Sequence, residues 1–93
     1  MRPRESKPRS ERSELAFFLA EIETGLAFAR LALSCEPRER ERLEREKGNA
    51  RLAYASVVKF LAKASLSPES NDIVQERLGK LRLALQRLGE PVA

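Results

Sequence analysis

An all-α fold is predicted: an antiparallel up-down-up three-helix bundle behind a disordered basic N-terminal arm. Three observations carry it. Apolar residues recur at gaps of three and four along three separate stretches, which is the period of an α-helix. Breaks bearing Pro37 and Pro68 divide those stretches, and no run of alternating polar and apolar residues reads as a strand. The chain has 93 residues, enough for one core only. A domain of that size buries about 60–65% of the surface its unfolded form exposes, so a partner that covers more of it adds materially to stability.

The opening MRPRESKPRS has two prolines, two serines, dense charge and no apolar residue after Met1. That composition belongs to a solvated arm over residues 1–10, with the bundle occupying 11–93. Helix one is expected over about 12–35, where Leu15, Leu19, Ile22, Leu26, Ala29 and Leu33 form a seam. Ser34-Cys35-Glu36-Pro37 ends it, because the residue before a proline is biased out of the α region. Helix two is expected over about 38–64, with a seam of Leu43, Ala50, Tyr54, Val57, Leu61 and Ala64 supported by Ala53 and Phe60. Its first turns are charged, and Glu36 with Arg40 and Glu41 with Arg45 stand in the favourable acid-before-base order at i, i+4. Gly48 and Asn49 weaken its middle and make a bend plausible there. Helix three is expected over about 68–88. Ser67-Pro68-Glu69 supplies a cap, a proline suited to the first helical position and an acid in the first turn. Val74, Leu78, Leu81, Leu85 and Leu88 repeat along it, and Gly89 followed by Pro91 is the expected stop. The short connections force neighbouring helices to run antiparallel.

Helix one carries a second apolar face. Phe17, Ala20, Thr24, Ala27, Phe28 and Leu31 lie nearly opposite its seam, with Glu14 and Glu21 at one border and Glu23 and Arg30 at the other. A helix in a three-helix bundle normally needs one broad stripe. Two stripes mean either that helix one is sandwiched between the other two, or that one stripe docks on another molecule. The expected interface is therefore Phe17, Ala20, Thr24, Ala27, Phe28 and Leu31, and the expected partner is a second copy in a homodimer, or another protein.

Composition excludes much chemistry. Histidine is absent and there is one cysteine, so imidazole bases, His-containing zinc sites and intrachain disulfides are all ruled out. The remaining acids, bases, Tyr54 and Cys35 show no clustering on an inward face. No catalytic residue, cofactor, metal or small-molecule substrate is expected. Cys35, at a helix end beside Glu36, reads as structural, and Tyr54 as a core residue with its hydroxyl at the edge. Leu52 and Leu83 read as single exposed leucines.

The net charge is +4. Arg2, Arg4, Lys7, Arg9 and Arg12 in the arm, with Arg77, Lys80 and Arg87 on one side of helix three, are the candidate phosphate contacts. Electrostatic nucleic-acid binding is the alternative function; it is not favoured, because the arm lacks the interleaved aromatics on which single strands stack. No apolar stretch is long enough to span a membrane, the basic start is not followed by the apolar core of a secretory signal, and one unpaired thiol fits the cytoplasm.

Gly48-Asn49-Ala50-Arg51-Leu52-Ala53-Tyr54-Ala55, followed by Val57, Val58, Phe60 and Leu61, resembles the small-residue and aromatic spacing of helical-hairpin scaffold proteins. These are the tetratricopeptide repeat and the three-helix domains of microtubule-interacting and trafficking proteins. The resemblance covers roughly 20 residues, shows no second copy at the repeat period, and implies a fold used to bind other proteins. In size and helix count the chain is also similar to the all-helical chorismate mutases. Arg30 is the only base between Leu15 and Leu33, so their first-helix arginine pattern does not carry over. The expected function is a non-catalytic protein-interaction module that self-associates through the second face of helix one.

Overall fold

In a computed structural model, the backbone is described for residues 6–92 and the side chains for residues 11–92. Three helices follow in order, α1 (Ser6–Leu33), α2 (Arg40–Leu61) and α3 (Pro68–Arg87), and no strand occurs among the described residues. The all-α three-helix bundle read from periodicity is the observed fold. Of the expected arm, residues 1–5 lie outside the described residues. Residues 6–10 belong to α1, which starts earlier than residue 12. Pro8 is compatible with this start, since the first four N–H groups of a helix have no intrahelical acceptor.

The helix ends are set by local hydrogen bonds. α1 stops at Leu33 rather than Cys35, where Ser34 Oγ donates to the Leu31 carbonyl at 2.9 Å and Cys35 Sγ to the same oxygen at 3.3 Å. α2 begins at Arg40 rather than 38. Its N-cap is Glu39, whose carboxylate accepts the Glu36 N–H at 2.8 Å and the Arg42 guanidinium at 3.2 Å. Those two bonds, the Glu36 one foremost, hold the Glu39 carboxyl below its usual range. The helix then continues unbroken through Gly48 to Leu61. At the start of α3, Ser67 Oγ accepts the Ser70 N–H at 3.2 Å with Pro68 at the first position, as its sequence signature requires. Glu11 of α1 accepts the Ser67 N–H at 2.8 Å, which ties this turn to the beginning of α1.

α1 packs along both other helices, whereas α2 and α3 touch each other least. Its buried line is Phe18, Ile22, Gly25, Ala29 and Ala32, rotated from the expected seam. Leu15, Leu19 and Leu26 flank this line half-buried, and Leu33 is exposed. On the facing side, Ala50, Ala53 and Val57 of α2 and Val74, Leu78, Leu81 and Leu85 of α3 are buried. At the α1/α2 contact small residues face each other where Gly25 meets Ala53, and the backbones approach closely there. At Gly25 a Cβ would lie 3.0 Å from Ala53 Cβ and 2.8 Å from Leu81 Cδ2. One hydrogen side chain is the meeting point of all three helices.

The C-terminus is clasped to α2. Gly89 adopts φ +82°, a conformation glycine reaches without strain, and Glu90 N–H returns to the Leu85 carbonyl at 2.9 Å. This reversal lays Glu90 on α2, 2.7 Å from Arg51 Nη1 and 3.5 Å from Lys47 Nζ. The Arg51 hydrogen bond holds the Glu90 carboxyl below the usual carboxylate range against the opposing effect of burial, and Lys47 adds to it. Because the folded pKa is the lower one, the clasp contributes in full above the unfolded carboxylate value and is lost as pH falls through the folded value. Thermal unfolding should therefore show a midpoint advantage of wild type over Glu90→Gln at about pH 7 that is smaller at about pH 3, below the unfolded carboxylate value. Equal midpoints at both values would mean that the clasp contributes nothing.

Candidate docking face

The two apolar faces of α1 have different fates. Phe18, Ile22, Ala29 and Ala32 fill the core, and five of the six residues of the second face are exposed: Phe17 (42%), Ala20, Thr24, Ala27 and Leu31 (38%). Phe28 departs from this expectation. It is half-buried and packed against the core cluster, because it sits at the border of the face, nearer to α2, where the small residues bring the helices together.

The face extends onto α2. Phe17 and Phe60 rings meet edge-on with centroids 5.9 Å apart at 80°, and Phe17 in turn rests on the buried Phe18 at 5.5 Å and 63°. Edge-to-face pairs of this kind are favourable beyond their buried area, so an exposed ring is held in one place by a ring in the core. Phe60, expected to support the helix-two core, is 44% exposed, and Leu52 on the same edge of α2 is 64% exposed. Leu52, Ser56 and Phe60 repeat at i, i+4 spacing along one stripe. That stripe lies just beside the buried Ala53 and Val57, a displacement of one residue that turns a core leucine into a surface one. Sequence reasoning treated Leu52 as isolated because the register of α2 against α1 is set by contacts between distant residues.

Charges rim the aromatic end of the face. Glu14 and Glu21 of α1 are half-exposed, and Lys59 and Lys63 at the end of α2 are exposed; Lys59 Nζ lies 5.8 Å from the Phe60 ring centroid. None of the four is in an ion pair among the described residues. The other border of α1 is used within the chain, Glu23 accepting from Arg77 of α3 at 3.0 Å.

Among the described residues, the candidate phosphate contacts do not converge. Arg2 and Arg4 lie outside the described residues, as do the side chains of Lys7 and Arg9. Arg12 lies at the end of the bundle where Glu11 meets Ser67. Arg87 is at the far end of α3, about 30 Å away along a helix of 20 residues. Arg77 is paired with Glu23, and Lys80 and Arg87 are exposed.

Elsewhere, the loose α2/α3 contact leaves an open groove of about 380 Å³, lined by Tyr54, Val58, Leu61, Ala62, Asn71, Gln75, Leu78 and Arg82. Its polar groups offer hydrogen bonds rather than an acid–base pair, since none is a carboxylate or thiol. Glu46 of α2 is buried at 8% exposure and its Oε1 has no hydrogen-bond partner among the described residues. Its Oε2 reaches Arg45 only at 3.9 Å. An unsatisfied buried acceptor costs about 1–3 kcal/mol, a local weakness that sequence periodicity does not reveal. Among the described residues, no group of three or more acids and cysteines is placed to hold a metal ion, and no helix is long and apolar enough to cross a membrane. Compared with protein families, curated proteins and solved structures, the chain matches none.

Proposed function

We propose that this chain is a non-catalytic helical interaction module, working in the cytoplasm, that associates with protein through the exposed face of α1 and the adjoining edge of α2. The observation that carries this reading is the exposure of Phe17, Leu31, Leu52 and Phe60 around the small residues Ala20, Thr24 and Ala27. Large apolar side chains gathered on one surface mark association sites on soluble proteins, and aromatic anchors dominate the energetics of such sites. Docking would follow helix-in-groove recognition, with residues at helical spacing as anchors.

A photo-reactive phenylalanine analogue at position 24 should form protein adducts in the producing cell, whereas the same group at Leu83, exposed on α3, should form none. Phe17→Ser combined with Leu31→Ser should abolish the adducts while circular dichroism still reports a folded helical chain, with a lowered midpoint from loss of the two ring contacts of Phe17, each worth about 0.5–1.5 kcal/mol. Equal adduct yields from positions 24 and 83, or adducts that survive the double substitution, would refute the reading.

A further inference from the structure

Resting on that association reading, we infer that the occupant of the face is a second copy of this chain, related by a twofold axis parallel to the helices, so that α1 of each copy lies over α2 of the other. Size and charge complementarity between the two halves of the face carry this assignment.

The register within one copy is fixed by two contacts. Phe17 is level with Phe60 through their rings, and Gly25 is level with Ala53 through the close approach of their positions. Glu14, one turn before Phe17, is therefore level with Lys63, one turn after Phe60. By the same count Glu21 falls level with Ser56 and Val57, within one turn of Lys59, and Leu52 falls between the levels of Thr24 and Ala27. A twofold axis parallel to the helices exchanges α1 and α2 across the interface but keeps every residue at its own level. Each copy then sets Leu52 of its α2 against the small residues Thr24 and Ala27 of the other's α1, and brings its Phe60 ring to the level of the other's Phe17 ring. Large against small is how helix surfaces interdigitate.

Charge follows the same geometry. The α1 rim is acidic at Glu14 and Glu21, and the α2 rim is basic at Lys59 and Lys63. Exchange of α1 and α2 at constant level brings the acids of each copy to the lysines of the other, twice per dimer. A twofold axis perpendicular to the helices would instead place α1 on α1 and α2 on α2. Small residues would then face small ones, and no acid rim would meet a basic rim. The result is an isologous four-helix layer in which every helix has antiparallel neighbours, with α3 of each copy on the outside.

Light scattering coupled to size-exclusion chromatography tests this on the full chain, with circular dichroism confirming that each variant is folded. Wild type should have twice the chain mass of 10.5 kDa. Glu14→Lys with Glu21→Lys makes all four rim charges positive, and Lys59→Glu with Lys63→Glu makes all four negative, so each double variant alone should fall to a single chain mass. An equimolar mixture of the two should return to twice that mass, because both interfaces of the mixed dimer regain opposite charges. A monomeric wild type, or variants that dimerise as wild type does, or a mixture that stays monomeric, would each overturn the inference. The association reading fails separately, by the cross-linking result from position 24.

Discussion

Replacing Gly25 with valine is expected to be among the most damaging single changes in the described chain, a loss of about 3 kcal/mol or more. A Cβ at this position would stand 2.8 Å from Leu81 Cδ2, 3.3 Å from Leu81 Cδ1 and 3.0 Å from Ala53 Cβ, whereas carbon atoms pack best at about 3.5–4.0 Å. Ala53 Cβ is attached directly to the α2 backbone and moves only if that helix moves. Leu81 is fully buried and can swing aside only into neighbours that already fill the space. Valine adds two methyl groups to this crowding. Alanine is the gentler probe, because leaving glycine gains about 1 kcal/mol of helix propensity against an overpacking cost of about 1–3 kcal/mol; a net loss near 1 kcal/mol is expected. Urea unfolding followed by circular dichroism measures both. A valine variant with the midpoint of wild type would mean that α1 and α2 separate at little cost, contrary to the close packing described above.

The second large effect is expected at the other side of the same contact. Leu81→Ala should lose about 3–5 kcal/mol, from the transfer of its buried methyl groups and the cavity they leave among α1, α2 and α3. For a chain of this length that corresponds to a fall of at least about 12 °C in the unfolding midpoint. The two sites should also be coupled. In the double variant Gly25→Ala, Leu81→Ala, the new methyl group at position 25 enters space that Leu81 has vacated, so the clash is removed and part of the cavity filled. The double variant should be more stable than the sum of the single losses requires by about 1 kcal/mol or more. Strict additivity would show that the two side-chain positions do not share one space.

The bundle was legible because each helix announces itself locally. The Ser67-Pro68-Glu69 start and the Gly89 stop act through their own backbone hydrogen bonds, and the repeats from Ile22 to Ala29 and from Val74 to Leu85 need only the period of a helix. The candidate face was legible in part for the same reason. A helix wheel places Phe17, Ala20, Thr24, Ala27 and Leu31 together, and they remain together on the surface. What the wheel could not supply was the rotation of α1. Its apolar residues cover so much of its circumference that several orientations bury similar area, and the large Leu33 made the wrong stripe look complete. Phe18, Gly25 and Ala32 form the true line because Gly25 allows α2 to come close, and that gain depends on Ala53, 28 residues away in the chain.

Sequence alone thus determined three helices, their turns, the lack of imidazole chemistry and the existence of two apolar faces on α1, all properties of residues near one another in the chain. Tertiary structure decided which face is buried, that Phe28 leaves the exposed set while Leu52 and Phe60 join it, and that the basic groups at the two ends of the bundle stand apart. Those outcomes turn on how one rigid helix is rotated and slid against another, and contacts between distant residues choose among arrangements that local periodicity leaves equal in energy.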